Sequence, residues 1–221
     1  MDPLACAPMG RLIVIEGLDG SGKRTLTDAL TKELADRGLT ATRWAFPRYG
    51  ESVHADLITD AMHKRLGPLV DTVYGMAVLY ALDRQGAAAG IRADLERFDV
   101  VLVDRYLASN AAYCAARLHE DAHGDMVRWV RDVELGRFEL PVPDAHLLLR
   151  VPVEVAAART AHRADTEAGR ERDSYETDGG LQARCSEVYE QLAEQNWVSP
   201  WHVVDGSGPV DAVALVDRIL G

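Results

Sequence analysis

The stretch GLDGSGKRT, residues 17–25, carries the residue types and spacing of a site for a nucleotide's phosphates. Gly17, Gly20 and Gly22 let the backbone wrap closely around anionic oxygens. The N–H groups and dipole of a helix starting near Lys23 supply partial positive charge, and Lys23 reaches the outer phosphates. The spacing follows G-x-x-x-x-G-K-[ST] up to its last place, where Arg24 replaces the hydroxyl that ordinarily ligates magnesium. A guanidinium cannot ligate Mg²⁺, so the metal must take its oxygens elsewhere. Asp19, inside the loop, is the nearest carboxylate, and one further acid suffices because Mg²⁺ keeps several waters. The plain alternative for Asp19 is a turn carboxylate bonding its own backbone.

Five further groupings put functional side chains within reach of one another. In FPRYG, residues 46–50, Pro47 stiffens the chain after a strand, so that Phe46, Arg48 and Tyr49 sit at the strand's carboxyl end, where open α/β sheets bind ligands. The alternative is a surface Arg48 and a core Tyr49. Tyr80 and Arg84 are one helical turn apart, and so are Asn110 and Tyr113; each pair shares a face. An aromatic plate with a bidentate donor, and an amide offering both donor and acceptor, are tools for reading a flat base. A core tyrosine and a helix-capping asparagine are the competing readings. DVVLVDRY ends a buried strand on Asp104 and Arg105, a Walker-B-like acid and a cation aimed at phosphate, or else a structural ion pair. HEDAH, residues 119–123, matches the zinc-protease helix signature, with Glu134 and Glu139 as conceivable third ligands; Gly124 and the polar flanks argue for a solvated helix end instead.

The elements that must carry these groups follow from pattern. RLIVIE (11–16) and DVVLVD (99–104) are short apolar runs without strict alternation, as in parallel strands covered on both faces. TATRWAF (40–46), DAHLLLRV (144–151) and WHVVD (201–205) are three more candidates separated by helix-length sequence. The expected fold is α/β, a five-stranded parallel sheet flanked by helices. Leu26, Leu30 and Leu34 mark a helix over 23–37, and an Ala- and Leu-rich stretch marks another over 70–97. The polar run RADTEAGRERD, 163–173, breaks the pattern and reads as a mobile loop. Residues 1–10 read as a loose extension before one domain over 11–221, with Met9 as an alternative start. The chain has 221 residues and a formal charge of -11, which argues against nucleic-acid and anionic-membrane partners. Three unpatterned cysteines fit a reducing cytoplasm, and the N-terminus has no signal-peptide character.

Five ordered motifs, GLDGSGK, FPRYG, LYALDR, DRYLASNAAY and RDSYE, resemble thymidylate kinase, and the Lys-Arg-Thr variant resembles its mycobacterial-type branch. The resemblance runs from about Arg11 to the C-terminus. It implies a P-loop nucleoside monophosphate kinase that phosphorylates dTMP to dTDP with ATP and Mg²⁺ and acts as a homodimer, for which the Ala-rich helix around Gly75 to Gly90 offers a flat packing face. It assigns ATP to Gly17, Leu18, Asp19, Gly20, Ser21, Gly22, Lys23, Arg24 and Thr25, with lid arginines Arg163 and Arg170 in a short lid over 159–175. It places dTMP against Asp19, Phe46, Arg48, Tyr49, Tyr80, Arg84, Arg105, Asn110, Tyr113 and Tyr175. Asp19, Lys23, Arg105 and Arg163 become the catalytic set; for the displaced metal the candidate ligands are Asp19 and Glu176, with Arg24 adding charge near the phosphates or pairing with a neighbouring acid. Thr166 stands where this branch leads one to expect another arginine. Two rivals retain a nucleotide site: another nucleoside monophosphate or deoxynucleoside kinase, and a nucleotide-binding switch, although no N-K-x-D guanine motif occurs.

Overall fold

The computed structural model describes residues 9–166, Tyr175 and residues 179–221. Five strands, β1 (Arg11–Glu16), β2 (Ala41–Ala45), β3 (Val100–Asp104), β4 (Ala145–Arg150) and β5 (Trp201–Asp205), form one all-parallel sheet in the order β2-β3-β1-β4-β5. The strands therefore fall within a residue or so of the segments expected from sequence. On β1 the two-residue period splits the core. Leu12 and Val14 join the helices on one face, Ile13 and Ile15 those on the other, and all four are buried. Glu16 continues the Leu12–Val14 face and is also fully buried.

The strand order reverses at β1, which has β3 on one side and β4 on the other; ligands in such sheets bind beyond the carboxyl ends at that switch point. Helix α1 (Lys23–Asp36) follows β1 directly, and its Leu26, Leu30 and Leu34 pack on the Ile13–Ile15 face. Beyond β2, α2 (Val53–Met62) leads to a 3-10 turn, Gly67–Asp71, and then to α3 (Val73–Leu95). The single helix expected over 70–97 is thus broken, because Thr72 adopts extended backbone between the two pieces. Helix α4 (Leu107–Leu118) follows β3, and α5 (Asp125–Arg131) runs into a π-helical turn, Asp132–Arg137.

Helix α6 (Val153–Thr166) continues into the stretch expected to be a loop. Its stem is tied down: Ala156 is buried, and the Thr160 hydroxyl donates to the Ala156 carbonyl at 3.0 Å. Helices α7 (Gly179–Glu194) and α8 (Ala212–Leu220) complete the described chain.

The zinc reading of HEDAH does not survive the backbone. Helix α4 stops at Leu118, and His119 lies in the left-handed region at φ 57°, so the two histidines are not stacked one turn apart on a helix. Glu120 instead accepts from the Met126 amide at 2.8 Å, and Glu134 pairs with Arg84. Among the described residues no group of three or more His, Cys, Asp or Glu side chains is arranged to hold a metal.

Candidate active site

The turn between β1 and α1 wraps as its glycines require. Gly17, Gly20 and Gly22 have φ values of 140°, 82° and 102°, and a Cβ on Gly20 would meet the Ala156 carbonyl oxygen at 2.1 Å. That carbonyl belongs to α6, which lies against the loop; Arg159 on the same helix donates to the Ser21 carbonyl at 3.2 Å and to the Gly206 carbonyl at 3.3 Å. Arg159, grouped by sequence with the lid, is therefore a brace for the loop. Leu18 turns its side chain into the core, whereas Arg24 and Thr25 are exposed on the first turn of α1. The buried Ser21 hydroxyl has no hydrogen-bond partner in the structure, a donor left over inside an anion cradle.

Lys23 is folded back onto the loop, its ammonium donating to the carbonyls of Leu18 at 2.9 Å and Gly17 at 3.1 Å. Burial pushes its pKa down to about 8, and Arg105 adds to the fall, while Asp104, Asp19 and Glu16 counter it. With the free enzyme's Lys23 titrating there, kcat/KM for ATP stays level below pH 8 and declines as pH rises through about 8. Lys23→Arg, which keeps its charge, removes that decline from the pH–rate profile. A wild-type profile flat to pH 10 contradicts this assignment.

Asp19 leans from the loop toward β3. One carboxylate oxygen accepts from the Arg105 guanidinium at 2.7 Å and the other from the Tyr113 hydroxyl at 3.0 Å. Burial opposes its charge, but Arg105 and Lys23 outweigh burial and hold it far below the usual carboxylate range. Arg105 stands in the left-handed region at φ 67°, an uncommon place for a side-chain-bearing residue. Its amide donates to Ile15 at 3.0 Å, its guanidinium lies over the Tyr113 ring at 5.3 Å, and Ser109 accepts another of its N–H groups at 3.0 Å. Beside it, one oxygen of Asp104 is buried with no partner among the described residues.

Sequence reasoning missed Glu16. Its carboxylate accepts from the amides of Tyr106 (2.9 Å) and Ser109 (3.2 Å) and from the hydroxyls of Ser109 (2.6 Å) and Tyr189 (3.0 Å). It therefore clamps the turn that holds Arg105 in its strained conformation. A carboxylate on the inward face of a strand end was the available signal, since such a group is buried only when its oxygens are satisfied.

Next to Asp19 and Arg105 opens a pocket lined in part by Phe46, Tyr49, Tyr80, Arg84, Asn110, Tyr113 and Tyr175. Tyr175 stacks on Tyr113 with 6.2 Å between centroids, and its hydroxyl accepts from Arg117. Arg84 and Asn110 are both buried and meet at Glu134. Tyr49 is largely exposed at the pocket, not a core aromatic. Arg48 departs from expectation: its guanidinium donates to the Asp83 carboxylate at 2.9 Å and to the Asp83 carbonyl at 2.8 Å, and it does not line the pocket. The buried, acceptor-only Asp83 on α3 captures it, which makes Arg48 an anchor for the turn carrying Tyr49. Arg163 falls on α6, but its side chain, like Arg170 and Glu176, lies outside the described residues.

A phosphate loop on a five-stranded parallel sheet, facing a second pocket with a base-sized, hydrogen-bonding interior, defines a P-loop nucleoside monophosphate kinase. The thymidylate kinase family model matches residues 15–215. Thymidylate kinase of Mycobacterium tuberculosis is 49% identical over 193 residues, covering 87% of this chain and 90% of the relative, and the human thymidylate kinase is 28% identical over 97% of this chain and 91% of its own length. The chain belongs to the thymidylate kinase family. The solved structure of the Candida albicans thymidylate kinase has the same fold, with a TM-score of 0.69 at 22% identity over 96% of this chain and 90% of that one.

Proposed function

We propose that this chain transfers the γ-phosphoryl group of ATP to the phosphate of dTMP, giving dTDP and ADP, a step toward dTTP. The observation that carries this is the position of a buried Arg84–Asn110 base pocket beside Asp19, Arg105 and the Lys23 loop in a chain of this family.

The acceptor is already an oxyanion, so no strong general base is needed, and catalysis reduces to alignment and charge stabilisation. Lys23 and the loop amides hold the ATP phosphates. Arg105, fixed by Asp19 and Ser109, reaches the acceptor phosphate. Tyr80 supports the base while Arg84 and Asn110 read it. Tyr113, tied to Asp19, crowds the sugar's 2′ position. Arg163, with Arg170, would close over the γ-phosphoryl group.

The donor set fits Mg²⁺: Asp19 is ionised, part-exposed and hard, and an orphaned Asp104 oxygen lies nearby. Asp19, with Glu176, would hold the ion, which when bound neutralises phosphate charge; Arg24 adds positive charge near the phosphates.

Exposed Tyr74 and Val78, one turn apart on α3, support a homodimer face there, whereas Gly90 further along packs on the chain's own Trp44, where a Cβ would meet the ring at 2.9 Å. Two free, buried cysteines, Cys114 and Cys185, support a reducing cytoplasmic setting, and the charge of -11 supports small-molecule over nucleic-acid or membrane partners. Among the described residues no helix is long and apolar enough to cross a membrane.

The test is ADP release with Mg·ATP against the monophosphates of thymidine, deoxyuridine, ribothymidine, deoxyguanosine and adenosine. Preference for dTMP is expected, and preference for another acceptor, or no turnover, overturns the reading. Arg163→Ala in the same assay lowers kcat more than it raises the KM for dTMP; the reverse pattern makes Arg163 a binding residue only.

A further inference from the structure

Glu134 is fully buried, sits in the π-helical turn after α5, and belongs to no motif of the phosphate or acceptor sites. π-Helical turns recur at functional sites because they re-aim side chains. Its carboxylate receives three N–H groups: Arg84 Nε at 2.5 Å, Arg84 Nη2 at 2.7 Å and Asn110 Nδ2 at 2.8 Å. The same Asn110 nitrogen donates to the Ala77 carbonyl at 3.1 Å.

From this arrangement we infer that Glu134 is a positioning residue that sets the hydrogen-bond polarity of the acceptor pocket. The inference rests on the dTMP reading above. A carboxylate accepts and cannot donate, and neither can a carbonyl. Turning the Asn110 amide over would place its oxygen against two acceptors, so both amide hydrogens are consumed and Oδ1 is the face left for a ligand. Among the described residues Oδ1 accepts from the Cys114 thiol at 3.4 Å, a weak donor. On Arg84, Nε–H and one N–H of Nη2 are spent on Glu134, and the guanidinium N–H groups that remain on this pocket-lining residue can only donate.

The pocket thus presents one donor and one acceptor in fixed places. That is the complement of an imide edge, a carbonyl next to an N–H, as in thymine or uracil. Cytosine offers the reverse, an amino group beside an unprotonated ring nitrogen, so its amino group would meet the guanidinium and its ring nitrogen the Asn110 oxygen. Discrimination between the two bases is then lodged in a residue that touches neither.

Glu134→Gln tests this, because an amide N–H at position 134 removes the all-acceptor surface that locks Asn110. Steady-state kinetics with dTMP and dCMP should show the dTMP-to-dCMP ratio of kcat/KM falling by about tenfold or more, on the scale of one misplaced buried hydrogen bond. The loss should arise mainly from a higher KM for dTMP, with KM for ATP unchanged. Glu134→Asp, which keeps an acceptor-only group, should weaken both acceptors while preserving their ratio. A folded Glu134→Gln enzyme with the wild-type ratio overturns the inference. Should that variant not fold, Glu134→Asp decides: a preserved ratio supports the inference and a collapsed ratio overturns it. A wild-type enzyme with no preference for dTMP would instead overturn the dTMP reading itself.

Discussion

Asp19→Ala lowers kcat by about a thousandfold or more, the scale expected when a preorganised charge arrangement around a transferring phosphoryl group is dismantled. The structure explains the size. One Asp19 oxygen positions Arg105 and the other the Tyr113 hydroxyl, and both partners face the acceptor pocket, so a single truncation releases two groups together. The same change removes the ionised, hard oxygen that would receive Mg²⁺. Arg24→Ser is expected to keep activity within about tenfold of wild type, because Arg24 is exposed and in the proposed reading supplies charge but no alignment. Steady-state kinetics beside a thermal melt separate chemistry from folding. A well-folded but inactive Arg24→Ser enzyme would show that the cation after the P-loop lysine does more than add charge, and an active Asp19→Ala one would show that Asp19 is not needed to align Arg105 and Tyr113.

Glu16→Ala destabilises the fold by about 3–5 kcal/mol, as removal of one member of a buried charged network does. It strips the acceptor from two amides and two hydroxyls in the core and frees the turn that holds Arg105. Glu16→Gln is far milder, since its carbonyl still accepts from the Tyr106 and Ser109 amides and the two hydroxyls can turn to accept from the new N–H. The pH dependence carries a sign. Burial raises the Glu16 pKa above 4.5, against the lowering influence of Ser109, Arg105, Tyr106 and Tyr189. The native state therefore holds this proton more tightly than the unfolded chain, and that part of the stability is lost as pH rises through the folded value. Relative to wild type, Glu16→Gln should gain stability as pH is raised from 4.5. Urea melts of the three proteins at acidic and mildly alkaline pH check both statements. An alanine variant as stable as wild type would mean that the Glu16 network is dispensable.

How far the sequence reached depends on the range of the information. The strands, the glycine loop and Lys23, and the pairing of Tyr80 with Arg84 and of Asn110 with Tyr113 are set by spacings of a few residues, because backbone geometry converts such spacings directly into faces and turns. The loop glycines had to be there: their φ values lie where a side chain is strained. What tertiary packing alone decided are partnerships between residues far apart in the chain. Asp83 takes Arg48 from 35 residues away, Glu134 binds Arg84 from 50, Asp19 meets Arg105 from 86, and Glu16 gathers Ser109 from 93. Arg159, which its place in the sequence groups with the lid, braces the phosphate loop because α6 lies against that loop. A charged side chain commits to whichever partner burial leaves beside it. Local sequence names the charge, but only the sheet order and the seating of the helices determine that neighbour, and with it whether an arginine binds substrate or holds the site together.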